Sequence, residues 1–312
     1  MKSKEETVAH PVTSRRTAMR VVWRDWPSLE RLRTGRWVAW IVVVTVAFVQ
    51  PLTRLMLHAA QSELHSYIPL MPLVAGYLLY IQRRPRGTEY GSSVGGTVIL
   101  GGIGVAALAA AVGLRESLSV NDGLGLMALA YVSLILAGGF LFLGSRWMAA
   151  AAFPVAFLIF MVPLPDGVVN WLETASVLAS ADAAALFFNM TGTPLLRDGT
   201  TFTLPTIVLS VAQECSGIHS SWVLFITSLL ASHLFLENPW RRIILVAFVI
   251  PLGIVRNGFR ILVIGLLCVH VGPQMIDSVI HRRGGPLFFV LSLMPLFLFL
   301  SWLRSQEQHT KR

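Results

Sequence analysis

Cys215 stands in Gln213-Glu214-Cys215-Ser216-Gly217-Ile218, where a polar, turn-rich stretch passes into an apolar run. A helix starting there offers unpaired N–H groups and the positive end of its dipole. Both lower a thiol's pKa and favour the nucleophilic thiolate. A lone Cys is equally at home as a small buried hydrophobe. Cys268, in Leu266-Leu267-Cys268-Val269 with only His270 as a polar neighbour, fits that second description.

Two arginines and an asparagine interrupt an apolar run in Val255-Arg256-Asn257-Gly258-Phe259-Arg260-Ile261. Charged groups inside such a run are costly and mark function by default. Arg256 and Arg260 lie one helical turn apart and share a face. An arginine keeps its charge, so either can bind a developing oxyanion or a carboxylate, while snorkelling or a packing ion pair is the bland reading. His281, in Val279-Ile280-His281-Arg282-Arg283-Gly284-Gly285, is a candidate base. A neutral imidazole beside a thiol takes its proton and later returns it to a leaving amine. An interfacial histidine beside two snorkelling arginines is the competing description. His219, one turn after Cys215, competes for the base role, with His233 and His270 weaker candidates among apolar neighbours.

Eight histidines invite a metal, yet no HExxH, paired CxxC or carboxylate pair at ligand spacing occurs, so no metal ligands are assigned. No phosphate-binding loop or dinucleotide fingerprint is present, and no cofactor is expected. Two cysteines allow one bridge at most and form no disulfide framework.

The elements that position these groups must be membrane helices. With 54% hydrophobic residues, 13% charged residues and a mean hydropathy of +0.66, the 312-residue chain has too little charge for a water-exposed surface. The net charge of +9 does not indicate nucleic acid, because nine of the 25 basic residues precede the first apolar run. They suit a cytoplasmic anchor on anionic lipid. Apolar runs at 37–57, 67–81, 94–114, 124–143, 148–164, 218–236, 243–271 and 286–303 predict an all-α polytopic protein of about eight transmembrane helices. The second and fifth runs are the shortest and also suit re-entrant or interfacial segments. Gly95 to Gly104 reads as a tightly packing helix.

Basic residues at 83–86, 146, 241–242 and 304–312 then fall in alternate loops, which puts both termini in the cytoplasm. Arg282 and Arg283 are exceptions on the outer side. The predicted organisation is a basic N-terminal segment over 1–36, a transmembrane domain over 37–303 and a tail over 304–312. Within the domain, 165–213 forms a partly helical, turn-rich outer loop before the sixth helix, and 214–286 carries the reactive residues. In that loop, 166–190 suits an interfacial helix and 191–209 a short hairpin.

Glu214-Cys215-Ser216-Gly217-Ile218, Asn257-x-x-Arg260 and His281 in this polytopic context resemble the exosortase/archaeosortase family. Related features are Val162-Pro163-Leu164-Pro165, Gly192-x-Pro194 with Arg197 and Gly199, and the turn Pro239-Trp240-Arg241-Arg242. The resemblance is specific from about Val162 to Pro286, and the first 36 residues lie outside it. It implies a multi-pass cysteine transpeptidase of the bacterial inner membrane, with its active site on the periplasmic side. The implied substrates are exported proteins ending in a short PEP-CTERM-like motif, a transmembrane helix and a basic tail, and the acceptor is a lipid or glycan amine or hydroxyl. Carried over residue by residue, Cys215 is the acyl-thioester nucleophile, Arg260 the essential arginine and His281 the general acid/base. Glu214, Ser216, Gly217 and Asn257 support them. His219 stands where the family often has Arg, and Arg256 aligns with the arginine of the archaeal branch, so Arg256 and Arg260 both remain candidates. A different class of protein also fits the residues: a non-catalytic polytopic component of exopolysaccharide or lipid-linked glycan export, whose intramembrane arginines bind phosphate.

Overall fold

The computed structural model describes residues 28–81, 92–211, 217–277 and 285–310. Its helices are α1 (Ser28–Ala47), α2 (Val49–Gln61), α3 (Met71–Ile81), α4 (Val94–Gly113), α5 (Val120–Phe142), α6 (Ser145–Ala150), α7 (Ala152–Phe157) and α8 (Asp166–Met190). Three short strands follow, β1 (Leu196–Asp198), β2 (Thr201–Thr203) and β3 (Val208–Ser210). The chain continues through α9 (Ile218–Phe235), α10 (Pro239–His270) and α11 (Gly285–Thr310).

The all-α polytopic class is as expected, and the expected count of about eight spans is not reached among the described residues. Among the described residues, six helices are long and apolar enough to cross a membrane, and a seventh results if α1 and α2, bent by 72° at their junction, form one broken span. The two shortest runs supply only short helices, Ile68–Ile81 and Ala152–Met161. Proline explains these breaks. Pro51 and Pro154 are each the third residue of the helix after a break, at Phe48 and Ala151. A proline has no N–H to continue the preceding helix, but in a first turn that N–H is unneeded. The helix expected at 166–190 forms as α8, and its 25 residues are long and apolar enough to cross.

The described residues form two compact units, one drawing on residues up to Arg54, Met71–Ser117 and Leu126–Val162, the other on Leu55–Leu70, Leu118–Gly125 and Pro163 onward. In the first unit, the glycines of α4 meet α5 closely. A Cβ at Gly96 would lie 2.5 Å from the Phe140 ring, and one at Gly104 would lie 3.0 Å from Leu134. The close packing expected of this stretch is therefore present. Trp40 Nε1 donates to the Leu134 carbonyl at 2.9 Å and Thr45 Oγ1 pairs with Tyr131 at 3.0 Å, joining α1 to α5.

In the second unit α10 is the central helix, packed against α8, α9 and α11. Gly258 and Gly265 let α8 approach: added Cβ atoms would sit 2.7 Å from Ala183 Cβ and 2.5 Å from the Phe188 ring. Asn238 caps α10, its Oδ1 accepting from Trp240 N at 2.9 Å, with Pro239 at the first helical position. The Glu307 carboxylate accepts the backbone N–H groups of Glu237 and Asn238 at 3.0 and 2.9 Å, fixing the α9–α10 turn to α11.

α8 ends in a Schellman motif: Thr193 N donates to the Phe188 carbonyl, Gly192 N donates to the Asn189 carbonyl, and Gly192 has φ +68°. The expected hairpin is a three-stranded antiparallel sheet of order β1-β2-β3, with Phe202 opposite Leu209. One face is buried. Phe202, Leu204, Leu209 and Val211 pack with Ala184 and Phe188 of α8 and with Ile261, Ile264 and Cys268 of α10. Cys268 is thus the small buried hydrophobe its neighbours suggested. Arg197 ties the sheet to α8 through Asp182 at 2.6 Å.

Candidate active site

Cys215, Glu214 and Ser216 lie outside the described residues, as do His281, Arg282 and Arg283. The described site consists of the residues flanking the Cys215 segment and the C-terminal half of α10.

Gly217 caps α9 with φ +67°, a left-handed conformation that favours glycine. Space requires glycine as well, because an added Cβ would lie 2.9 Å from Asn257 Oδ1 and 3.2 Å from Arg256 Nη2. The Gly217 carbonyl accepts from Ser221 N at 3.0 Å, Ser220 Oγ at 3.1 Å and Arg256 Nη2 at 2.9 Å. The same arginine nitrogen donates to Ser221 Oγ at 2.9 Å. Arg256 and Asn257 are only 7% and 2% exposed, so both are part of the interior. Ser221 escapes notice in the sequence, because nothing there shows that α9 presents it to Gly253 and Arg256.

Arg260 faces a different neighbour. It is half-buried and lines a pocket with Asn257 and Ile261 on the helix side and Leu209, Ser210 and Val211 on the strand side. This pocket sits at the end of β3, the last described element before Cys215 in sequence. The two arginines, equivalent in the sequence, therefore separate: Arg256 braces the turn after the cysteine, and Arg260 lines the pocket before it.

His219 is half-buried, and no partner of its Nδ1 is found among the described residues. Its electrostatic neighbours include Glu63, Arg256 and His65. His65, unremarked in the sequence, is 5% exposed. Its ring is 5.6 Å from that of His58, and its Nδ1 lies 3.1 Å from Ser62 Oγ. Burial first, and then the neighbouring His58, lower its pKa from 6.5 to about 4. The signal was a pair of histidines around Glu63 in a short loop between apolar runs. Among the described residues, no group of three or more His, Cys, Asp or Glu is arranged to hold a metal ion.

A family model described as transmembrane exosortase (Exosortase_EpsH) matches residues 56–298. No curated protein and no solved structure matches the chain. The match covers most of the chain, includes every element of the site above and leaves out the basic N-terminal segment. The chain is a multi-pass membrane protein and belongs to the exosortase family, whose members are sorting transpeptidases.

Proposed function

We propose that this exosortase cleaves C-terminal sorting signals of exported proteins through an acyl-thioester on Cys215. The observation that carries the reading is the pocket lined by Arg260 beside Ser210 and Val211, which sets a cation at the end of β3, the last described element before the cysteine in sequence. The Cys215 thiolate attacks the scissile carbonyl, and the carbonyl π electrons move to oxygen. Arg260 donates to that oxyanion, which has charge in the transition state that the substrate lacks. Collapse restores the carbonyl and expels the amine, which takes a proton from the His281 imidazolium. An amine or hydroxyl of a lipid or glycan acceptor then attacks the thioester while His281 takes its proton, and the thiolate leaves.

Several features support this order of events. Arg256 donates to the Gly217 carbonyl, which anchors the chain two positions after Cys215. A substrate tethered by its own transmembrane helix presents a bond just outside the bilayer, the level at which Cys215, Arg260 and His281 are proposed to lie. The positive-charge pattern favours cytoplasmic termini and a periplasmic site in a bacterial inner membrane. The substrates are proteins with a PEP-CTERM-like motif, a membrane helix and a basic tail. Acidic residues of that motif give Arg282 and Arg283 a reason to lie outside, and unchanged processing after both are replaced by Gln would remove that reason.

The decisive experiment is Cys215→Ser with a co-expressed substrate carrying the signal. Processing stops if the thiolate is the nucleophile; continued processing excludes the cysteine mechanism.

A further inference from the structure

β3 is both an outer strand of its sheet and the last element before the Cys215 segment. Its hydrogen-bond register determines which backbone groups are committed. Leu204 N donates to the Ile207 carbonyl at 2.9 Å, and Val211 N donates to the Thr200 carbonyl at 3.0 Å. In an antiparallel ladder, bonded and non-bonded positions alternate. Ile207, Leu209 and Val211 therefore turn their backbone groups toward β2, while Val208 and Ser210 turn theirs to the opposite side. Among the described residues, nothing pairs with those outward groups.

Proteins ordinarily blunt such an edge with charge, proline or a bulge. Val208-Leu209-Ser210 contains no charge and no proline, and its register with β2 contains no bulge. Val208 and Ser210 are also exposed, whereas Leu209 is buried, so the strand is anchored by one residue and offers the two that flank it. The sheet's other outer strand, β1, differs: its Arg197 is engaged with Asp182 and it lies far from the cysteine in sequence.

Beside the β3 edge lies the Arg260 pocket, and Cys215 is five positions after Ser210, at most about 18 Å of chain. The exposed groups are backbone donors and acceptors repeating every two residues, a spacing matched by another extended peptide and not by a lipid or sugar.

We propose that the extended segment of the polypeptide substrate carrying the scissile bond adds to β3 as a fourth strand. It bonds to the backbone of Val208 and Ser210, and its scissile carbonyl is thereby led past Arg260 to Cys215. This rests on the acyl-transfer reading above. Main-chain pairing supplies affinity that depends little on substrate sequence, leaving alternate side chains and the Arg260 pocket to select the motif.

Two measurements on the full-length protein test it. In the first, the Cys215→Ala variant is purified in lipid nanodiscs, with and without a co-expressed exported protein bearing the C-terminal signal, and amide hydrogen exchange is read residue by residue. Exchange at Val208 and Ser210 should slow about tenfold or more with substrate, while Leu209 and Val211, already bonded to β2, change little. In the second, Val208→Pro and Ser210→Pro each remove a donor that the native sheet does not use, at a position where an edge strand tolerates proline. Processing should fall about three- to tenfold per lost bond, with melting unchanged. Unaltered exchange at both amides in the substrate-bound protein, or wild-type processing by both proline variants, overturns the proposal. If the proline variants fold poorly, the exchange measurement on the unaltered edge decides. Failure of the acyl-transfer reading shows separately, as processing retained by Cys215→Ser.

Discussion

Arg256 Nη2 donates to the carbonyl oxygen of Gly217 at 2.9 Å, across two helices and 39 positions of sequence. Gly217 lies two residues beyond Cys215, so this bond connects the middle of α10 to the start of α9, next in sequence to the candidate nucleophile. The guanidinium is buried, and the charge-assisted bond satisfies a carbonyl already shared by the first turn of α9.

Arg256→Gln is therefore expected to act first on stability. Losing a buried bond to a charged group costs about 1.5–3 kcal/mol. Gly217→Ala should cost at least about 1–2 kcal/mol from its left-handed backbone alone, and more because the new methyl displaces Asn257. Thermal melts in detergent check both, and lost processing with unchanged melting would contradict a bracing role.

Arg260→Gln should leave melting close to wild type but lower processing about 10²- to 10³-fold, the usual effect of removing an oxyanion donor. Arg260→Lys keeps the charge without the planar fork and should recover part of the loss. A time course of substrate cleavage measures this. Equal activity in all three proteins would assign the oxyanion role elsewhere.

His65 makes stability depend on pH. Its folded-state pKa, about 4, lies below its ordinary value of 6.5, so the unfolded chain binds the proton first as pH falls. Stability is therefore full above about pH 6.5 and declines toward pH 4, by about 3 kcal/mol in total from this group. His58 and His219 reinforce the depression and Asp166 opposes it. His65→Gln should flatten the melting temperature across that window, and an unchanged slope would show that the acid sensitivity resides in another group.

Gly258 tests the α8–α10 contact. Its added Cβ would lie 2.7 Å from Ala183 Cβ, so Gly258→Ala should destabilise by about 1–3 kcal/mol through forced separation of the helices. Combining it with Ala183→Gly should restore part of that stability, because the backbone of residues 183 and 184 remains close. A denaturation series with the single and double variants measures the coupling.

Much of the fold is legible in local composition. The apolar runs that become α4, α5, α9, α10 and α11 are long and apolar enough for a membrane crossing, and Pro239 after Asn238 marks a helix start. The count of about eight is not reached among the described residues because the two shortest runs supply only short helices, Ile68–Ile81 and Ala152–Met161; hydropathy averages over residues and does not register the missing N–H of Pro154 after the break at Ala151. It also passed over α8, whose polar residues lower its hydropathy to 1.2 although its length suffices.

The sequence by itself determined that this is a membrane protein, that a cysteine shortly precedes a helix, and that two arginines share one face of another. Those properties depend on residue type and on spacing within one element. Only the tertiary structure decided that Arg256 reaches Gly217 while Arg260 lines the pocket beside β3. Four residues of helix rotate a side chain by only about 40° but raise it by about 6 Å, and that rise brings it level with a different neighbouring element.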